Sequence, residues 1–264
     1  MCCELPKKQL VVSVGISTTN YAEVVEICIS WAAERKNSPA AAGHYICVTS
    51  VHGIILAKED PDIARFINAA DIVTPDGMPV VWALRSFGYH NQQRVYGPTL
   101  MLQICKRAAE MGHRIFLYGA RQETLSLLKN RLTERLPSLK IAGCYSPPFR
   151  ELTPEEDRAV EAQIRESDAD IVFVGVSTPK QERWMYEHRS SFPGITLIGV
   201  GAAFDFHAGR IRQAPAWMQR NGLEWLFRLL SEPARLWRRY LVTTPKFLPL
   251  WARQKWLQSD RNEP

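Results

Sequence analysis

No run of about 18 apolar residues occurs in the sequence, so no transmembrane helix is expected. The six cysteines, Cys2, Cys3, Cys28, Cys47, Cys105 and Cys144, are scattered and never spaced as CxxC. That argues against a zinc site or a disulfide framework and suits reduced thiols in a cytoplasm. Cys2 and Cys3 are candidate acylation sites by position alone. The opening "MCCELPKKQL" has no basic stretch followed by an apolar one, so it does not read as a secretory signal. Neither a GxGxxG fingerprint nor a Walker pattern is present, and no repeat or low-complexity tract interrupts the chain. What is present is ordinary for a globular protein: 264 residues, 46% hydrophobic and 23% charged. That length can bury a sizeable core as one large domain or as a domain with an appendage.

The formal charge of +6 is unevenly placed. Residues 206–264 carry 11 lysines and arginines against 4 acidic residues, a net of +7, and the rest of the chain sums to −1. Five of the eight tryptophans, Trp217, Trp225, Trp237, Trp251 and Trp256, lie in the same last quarter. Such an asymmetry points to a tail that meets an anionic surface.

Upstream of it, β-rich runs alternate with helical spacing. "QLVVSVGIS", "HYICVTS", "DIVTPDG", "HRIFLYG", "KIAGCYS", "DIVFVGVS" and "ITLIGVG" read as strands. Between them "YAEVVEICISWAAER", "DPDIARFINAA", "PTLMLQICKRAAEMG", "QETLSLLKNRLTERL", "TPEEDRAVEAQIRES" and "PKQERWMYEHRS" read as helices. Strands apolar on both faces and separated by helices predict a Rossmann-like, mostly parallel α/β sheet with helices on both faces. The alternation stops near Asp205, which suggests a catalytic core over residues 1–205 and a helical appendage over 206–264.

In such sheets ligands bind at the carboxyl ends of the strands, so function is sought there. Those ends carry Thr49 to His52, Pro75-Asp76-Gly77, Gly119 to Gln122, Ser177 to Glu182 and Gly201 to Asp205. Asp76 is the sharpest candidate: a carboxylate after a buried strand can be desolvated toward the pKa range of a general base. The same three residues also suit a plain turn. Gly119 before a helix start suits a diphosphate, or simply a tight strand-to-helix turn. Thr178 and Pro179 read as a helix entry, with Lys180 and Gln181 beside it facing the crevice. The DxD pairs Asp60/Asp62 and Asp168/Asp170 read as structural, the first opening a helix and the second preceding a strand. No metal site is expected from these residues, and His52 and His207 each lack a partner that would make a ligand pair.

Read together, "ADIVTPDGMPVVW", "RVYGPTLM", "RIFLYGA", "GVSTPKQERWM", "GVGAAFDFHAGRIRQAPAWM" and "GLEWLFRLLSEPARLWRRYL" resemble the TagA/WecG/CpsF glycosyltransferases, glycosyltransferase family 26, over roughly Tyr45 to Leu241. The resemblance implies an inverting, metal-independent enzyme without a cofactor. It would move a hexose, often N-acetylmannosamine, from a UDP-sugar donor to a polyprenol-diphosphate-linked acceptor in bacterial cell-surface polysaccharide synthesis. It would work as a peripheral protein on the inner face of the plasma membrane. By the motif correspondence Asp76 is the base, Arg94 a diphosphate or carboxylate contact, Gln181 a pocket contact and Thr49 the threonine of the "T.N" motif. Val51 stands where that motif has asparagine, followed by His52, which leaves the identity of the sugar open. Arg228, Arg235 and Arg238 match the family's tail arginines and would bind the substrate diphosphate. His52, Gly119, Gly201, Asp205 and Lys180 complete the expected substrate-binding set.

The tail then has a reading. Leu223, Leu226, Phe227 and Leu230 recur at helical spacing, and Ser231 and Pro233 restart a helix bearing Trp237, Tyr240 and Leu241, with Arg235, Arg238 and Arg239 largely off that apolar face. Tryptophan favours the membrane interface and arginine the anionic headgroups, where a lipid-linked acceptor resides. The apolar face would alternatively pack on the core or form a homo-oligomer contact. Three rival functions are a nucleic-acid binder, a nicotinamide-dependent oxidoreductase and an inactive family member acting as an assembly scaffold. A basic, aromatic tail suits the first but leaves the polar strand ends unexplained. The second lacks its glycine fingerprint.

Overall fold

The computed structural model describes residues 4–37 and 43–260, so Cys2 and Cys3, the candidate acylation sites, lie outside the described residues. The run "QLVVSVGIS" is a hairpin, not one strand. Its halves β1 (Lys8–Val11) and β2 (Val14–Ser17) pair antiparallel about a turn in which Val12 takes a φ of 59°. It forms a separate two-stranded sheet, tied to the main one by the Val73 N–H donating to the Ser17 hydroxyl at 3.0 Å.

The main body then alternates α1 (Tyr21–Asn37), β3 (His44–Thr49), α2 (Val51–Glu59), α3 (Pro61–Asn68), β4 (Ile72–Pro75), α4 (Met78–Ser86), α5 (Gly97–Met111), β5 (Arg114–Gly119), α6 (Gln122–Arg135), β6 (Lys140–Tyr145), α7 (Pro154–Glu166), β7 (Ile171–Gly175), α8 (Lys180–His188) and β8 (Thr196–Gly199). Helices α2 and α4 follow their strands after one or two residues, where the sequence reads as turn. The six strands from β3 onward lie in the order β4-β3-β8-β7-β5-β6, and every pairing is parallel. This is the Rossmann-like α/β sheet the alternation predicts. Neighbouring residues on each strand serve opposite faces. Tyr45, Phe116, Val172 and Leu197 join one core, and Ile46, Leu117, Phe173 and Ile198 the other. The period of two along each strand, with apolar layers on both sides, explains why the strands read as continuous hydrophobic runs.

Local chemistry sets the helix ends. Asp60 caps α3 through hydrogen bonds from the Asp62 and Ile63 N–H groups, and Thr153 with Glu156 forms a capping box at α7. Asp170 accepts from Arg35, His113 and the Arg114 N–H at the amino end of the sheet. Both DxD pairs are thus part of the scaffold.

Helix α9 (Ala203–His207) crosses the position where the sequence changes character. Beyond it come α10 (Ala216–Arg220), α11 (Glu224–Ser231), α12 (Pro233–Trp237), a π-helical stretch Arg238–Thr243, a 3₁₀ turn Thr244–Lys246 and α13 (Phe247–Ser259). This arm returns to the core. Leu236 and Phe247 are buried, Trp251 Nε1 donates to the Ser86 hydroxyl, and the Gln254 carboxamide spans the β1–β2 turn by bonding Val12 N–H and Leu10 carbonyl. No described helix is long and apolar enough to cross a membrane.

Candidate active site

The carboxyl end of β4 delivers Asp76 beside the end of β3, where its N–H donates to the Thr49 carbonyl at 2.9 Å. Gly77 follows with φ 96°, a conformation that suits glycine, and opens α4. Arg94, on the segment entering α5, gives both its Nε (3.1 Å) and its Nη2 (2.9 Å) to Oδ1 of Asp76. Its Nη1 donates to Glu224 of α11 at 2.7 Å. One guanidinium therefore bridges a core carboxylate and an appendage carboxylate, and it lies over the Tyr96 ring at 4.1 Å. Tyr21 supports this floor, its hydroxyl accepting from the Tyr96 N–H at 2.8 Å.

Burial raises the pKa of Asp76. Arg94 opposes that shift, and the Glu224 charge adds to it. Burial alone would lower the pKa of Arg94, but the two carboxylates raise it, so the cation is permanent. Glu224 sits where a helix of the tail meets the core, which no strand-end motif would indicate.

The tail delivers further cations. Arg239 donates to the Ser50 hydroxyl at 3.0 Å, and its Nε is buried without a partner. Burial lowers its pKa, and the Asp76 charge acts the other way. Arg228 stacks on Phe206 at 5.3 Å and pairs with Glu232, and its Nε also has no partner. Arg235 pairs with the same Glu232 and is half-exposed. Arg238 faces solvent against the Trp237 ring. Two facts account for the difference between Arg238 and Arg239. Arg239 follows the buried Leu236 by three residues, so it shares the core-facing side. The turn there is also the wider π form, which shifts the facing of side chains from an α-helical reading. The expectation that Arg239 lies off the apolar face is thus corrected, and its i,i+3 spacing from Leu236 carries the inward placement once Leu236 is in the core.

The other expected residues divide. Thr49 and His52 line the β3 end, each with a buried polar atom left unpaired, Oγ1 and Nδ1 respectively. Burial, followed by the Arg239 charge, lowers the pKa of His52 to about 4, so the ring is neutral near pH 7. Val51, at the family's asparagine position, is buried in the core. Gln181 is buried and committed internally: it accepts from the Gly201 N–H at 3.1 Å and donates to Glu182 at 3.0 Å. Thr178 gives its hydroxyl to the same Glu182 carboxylate and makes no side-chain cap. Glu182 is buried with Oε2 unpaired, and burial raises its pKa. Lys180 faces solvent. Asp205 is partly buried, with burial raising its pKa against the Arg235 and Arg210 charges.

Gly119 has φ 126°, and an added Cβ would stand 2.6 Å from the Gly175 backbone, so glycine is demanded by strand approach. Among the described residues one trio, Asp157, Glu161 and His188, has metal-ligand spacing. It lies between α7 and the last turn of α8, at the end of that helix away from the strand-end turns. His207 is satisfied by the Pro98 carbonyl at 2.8 Å.

A parallel α/β sheet with a partly buried carboxylate at its strand ends and the unpaired Nε of Arg228 and Arg239 brought by the tail has the form of an α/β enzyme with an anion-binding site. The family model described as "Glycosyl transferase WecG/TagA/CpsF family" matches residues 9–261, and the chain belongs to this family. It is 33% identical over 192 residues to the N-acetylglucosaminyldiphosphoundecaprenol N-acetyl-beta-D-mannosaminyltransferase of Bacillus spizizenii, covering 73% of this chain and 72% of that one. It is 34% identical over 192 residues to the enzyme of the same name from Bacillus subtilis, with 72% of each chain covered. The resemblance carried by the six motifs therefore extends through the appendage, and the chain is a glycosyltransferase.

Proposed function

We propose that this glycosyltransferase moves N-acetylmannosamine or a related hexose from a UDP-sugar to a polyprenol-diphosphate-linked acceptor sugar, in a single inverting step without a metal. The observation that carries the reading is the arrangement around Asp76. Its Oδ1 is held by Arg94, and its Oδ2 has no hydrogen bond among the described residues. Thr49 adjoins it and Arg239 acts on it electrostatically, His52 and Arg228 lie within reach of Arg239, and each of these four keeps one buried polar atom unpaired. Buried polar groups without partners are costly, so their convergence marks a place where a polar ligand completes the bonding. The printed names of both relatives supply the acceptor and sugar class.

In the reaction the acceptor hydroxyl attacks C1 of the donor sugar. The new C1–O bond forms as the bond to the UDP oxygen breaks, and the hydroxyl proton passes to Oδ2 of Asp76. The departing diphosphate gains negative charge, which Arg239 and Arg228 meet with donors already in place. Each such donor is worth about 3 kcal/mol in the transition state. The lipid-linked acceptor brings the enzyme to the membrane, where the tryptophan-rich appendage lies on the inner leaflet.

The test is to incubate purified protein with a panel of UDP-sugars and a short-chain polyprenol-diphosphate N-acetylglucosamine. UDP release that requires the acceptor and persists in chelator is the expected result. Release independent of acceptor, or none with any donor, defeats the reading.

A further inference from the structure

Asp76 is faced by charged and titratable groups from four places: Arg94 ahead of α5, Glu224 on α11, Arg239 on the π-helical stretch, and the phenols of Tyr21 and Tyr96. Of these, Glu224 is the one anionic group besides Asp76 itself. It is buried, although it lies on an arm rich in exposed side chains. A glutamate desolvated at a helix start, with its carboxylate 2.7 Å from a core arginine, is there for that arginine.

The geometry shows what it does to Arg94. A guanidinium facing a lone carboxylate frequently pairs fork to fork, one N–H to each oxygen. Here both bonds from Arg94 to Asp76 fall on Oδ1, and the remaining Nη1 is turned to Glu224. We propose that Glu224 is a positioning residue for Asp76: from the appendage it holds Arg94 aside, so that Oδ2 of Asp76 stays open to take the acceptor's proton. The proposal rests on the reading of Asp76 as the base, and it makes the docked appendage part of how that base is set. A second consequence follows from charge. Glu224 partly cancels Arg94, which keeps Asp76 a stronger base than an arginine-paired carboxylate.

The test is Glu224→Gln, which keeps shape and hydrogen bonding and removes the charge. The carboxyl carbon of Asp76 is titrated by ¹³C NMR in wild type and variant, and backbone hydrogen exchange is measured over residues 216–246. The expected results are an Asp76 titration at lower pH in the variant and amide exchange in α11 about tenfold faster. In an Arg94→Gln background the same substitution is expected to add little to exchange, since the partner is gone. Faster exchange with an unmoved Asp76 titration would reduce Glu224 to a clamp and overturn the proposal. Unchanged exchange and titration would overturn it as well. Neither readout needs turnover, so loss of the transferase reading would be seen separately, as absent UDP release by wild type. Where wild type is active, the acid limb of kcat moves down in pH with the NMR titration.

Discussion

At the scale of single residues the chemistry turns on how burial and charge divide between neighbours. Asp76 is partly buried and Glu182 fully so, and burial raises the pKa of both, yet only Asp76 is hydrogen-bonded to an arginine that favours its ionised form. Asp76→Asn keeps the size and the Arg94 contact and removes the proton acceptor. It is expected to cut kcat by at least about a hundredfold, the usual scale of a lost general base, while UDP affinity by calorimetry stays within twofold. Near-normal turnover by that variant would remove Asp76 as base. His52 gives a pH prediction in the opposite sense. Its folded pKa is about 4 against an ordinary 6.5, so the unfolded chain takes up the proton first as pH falls. The stability attached to the neutral ring is complete above 6.5 and is lost as pH falls from there to about 4. His52→Gln should flatten that part of the curve of melting temperature against pH, and an unchanged slope would show that the ring is not desolvated.

At the scale of elements, strands fix where the site can be, and close approach between them fixes some residues outright. Gly119 ends β5 against Gly175 of β7, with a φ that L-residues rarely adopt. Gly119→Ala combines an unfavourable backbone angle with a backbone clash and should cost about 3 kcal/mol, read as a lowered denaturant midpoint. The glycine was legible in the sequence as a strand-end turn, but its partner strand was not, because sequence does not state that β5 lies beside β7. The same limit explains the rest. Asp76 was legible because a carboxylate after an apolar strand is a local pattern. Glu224 was not, because its partner Arg94 lies 130 residues away. The β1–β2 hairpin was hidden for a different reason: its turn puts Val12 at φ 59°, where glycine, asparagine or aspartate would signal a two-residue hairpin, and Ser13 alone is a weaker signal. Motif correspondence singles out Arg238, and helical spacing sets Arg239 off the apolar face, whereas the structure separates the two by which side of Leu236 they share.

For the whole molecule, the appendage has two sets of side chains. One turns inward, with Glu224, Leu236, Arg239 and Phe247 seated on the core. The other stays in solvent and includes Trp217, Trp225, Leu230, Trp237, Leu241 and Trp256. Large apolar side chains left exposed beside arginines are what a surface seated at a lipid headgroup layer needs, because the rings enter the interface and each cation near anionic lipid adds about 1 kcal/mol. The two sets can be separated experimentally through Trp237 and Leu241, whose side chains are exposed and, among the described residues, hydrogen-bond to none of Asp76, Arg94, Glu224 and Arg239. A Trp237→Glu, Leu241→Glu double variant puts like charge against an anionic leaflet without touching Glu224 or Arg239. In flotation with vesicles containing phosphatidylglycerol it is expected to bind at least about tenfold more weakly than wild type, and added salt should weaken what binding remains. Turnover of a water-soluble acceptor analogue should stay close to wild type, whereas turnover of a long-chain acceptor in vesicles should fall with binding. Equal flotation of the two proteins would assign the exposed tryptophans to some surface other than lipid, and the basic, aromatic arm would then have to be explained by its inward side chains alone.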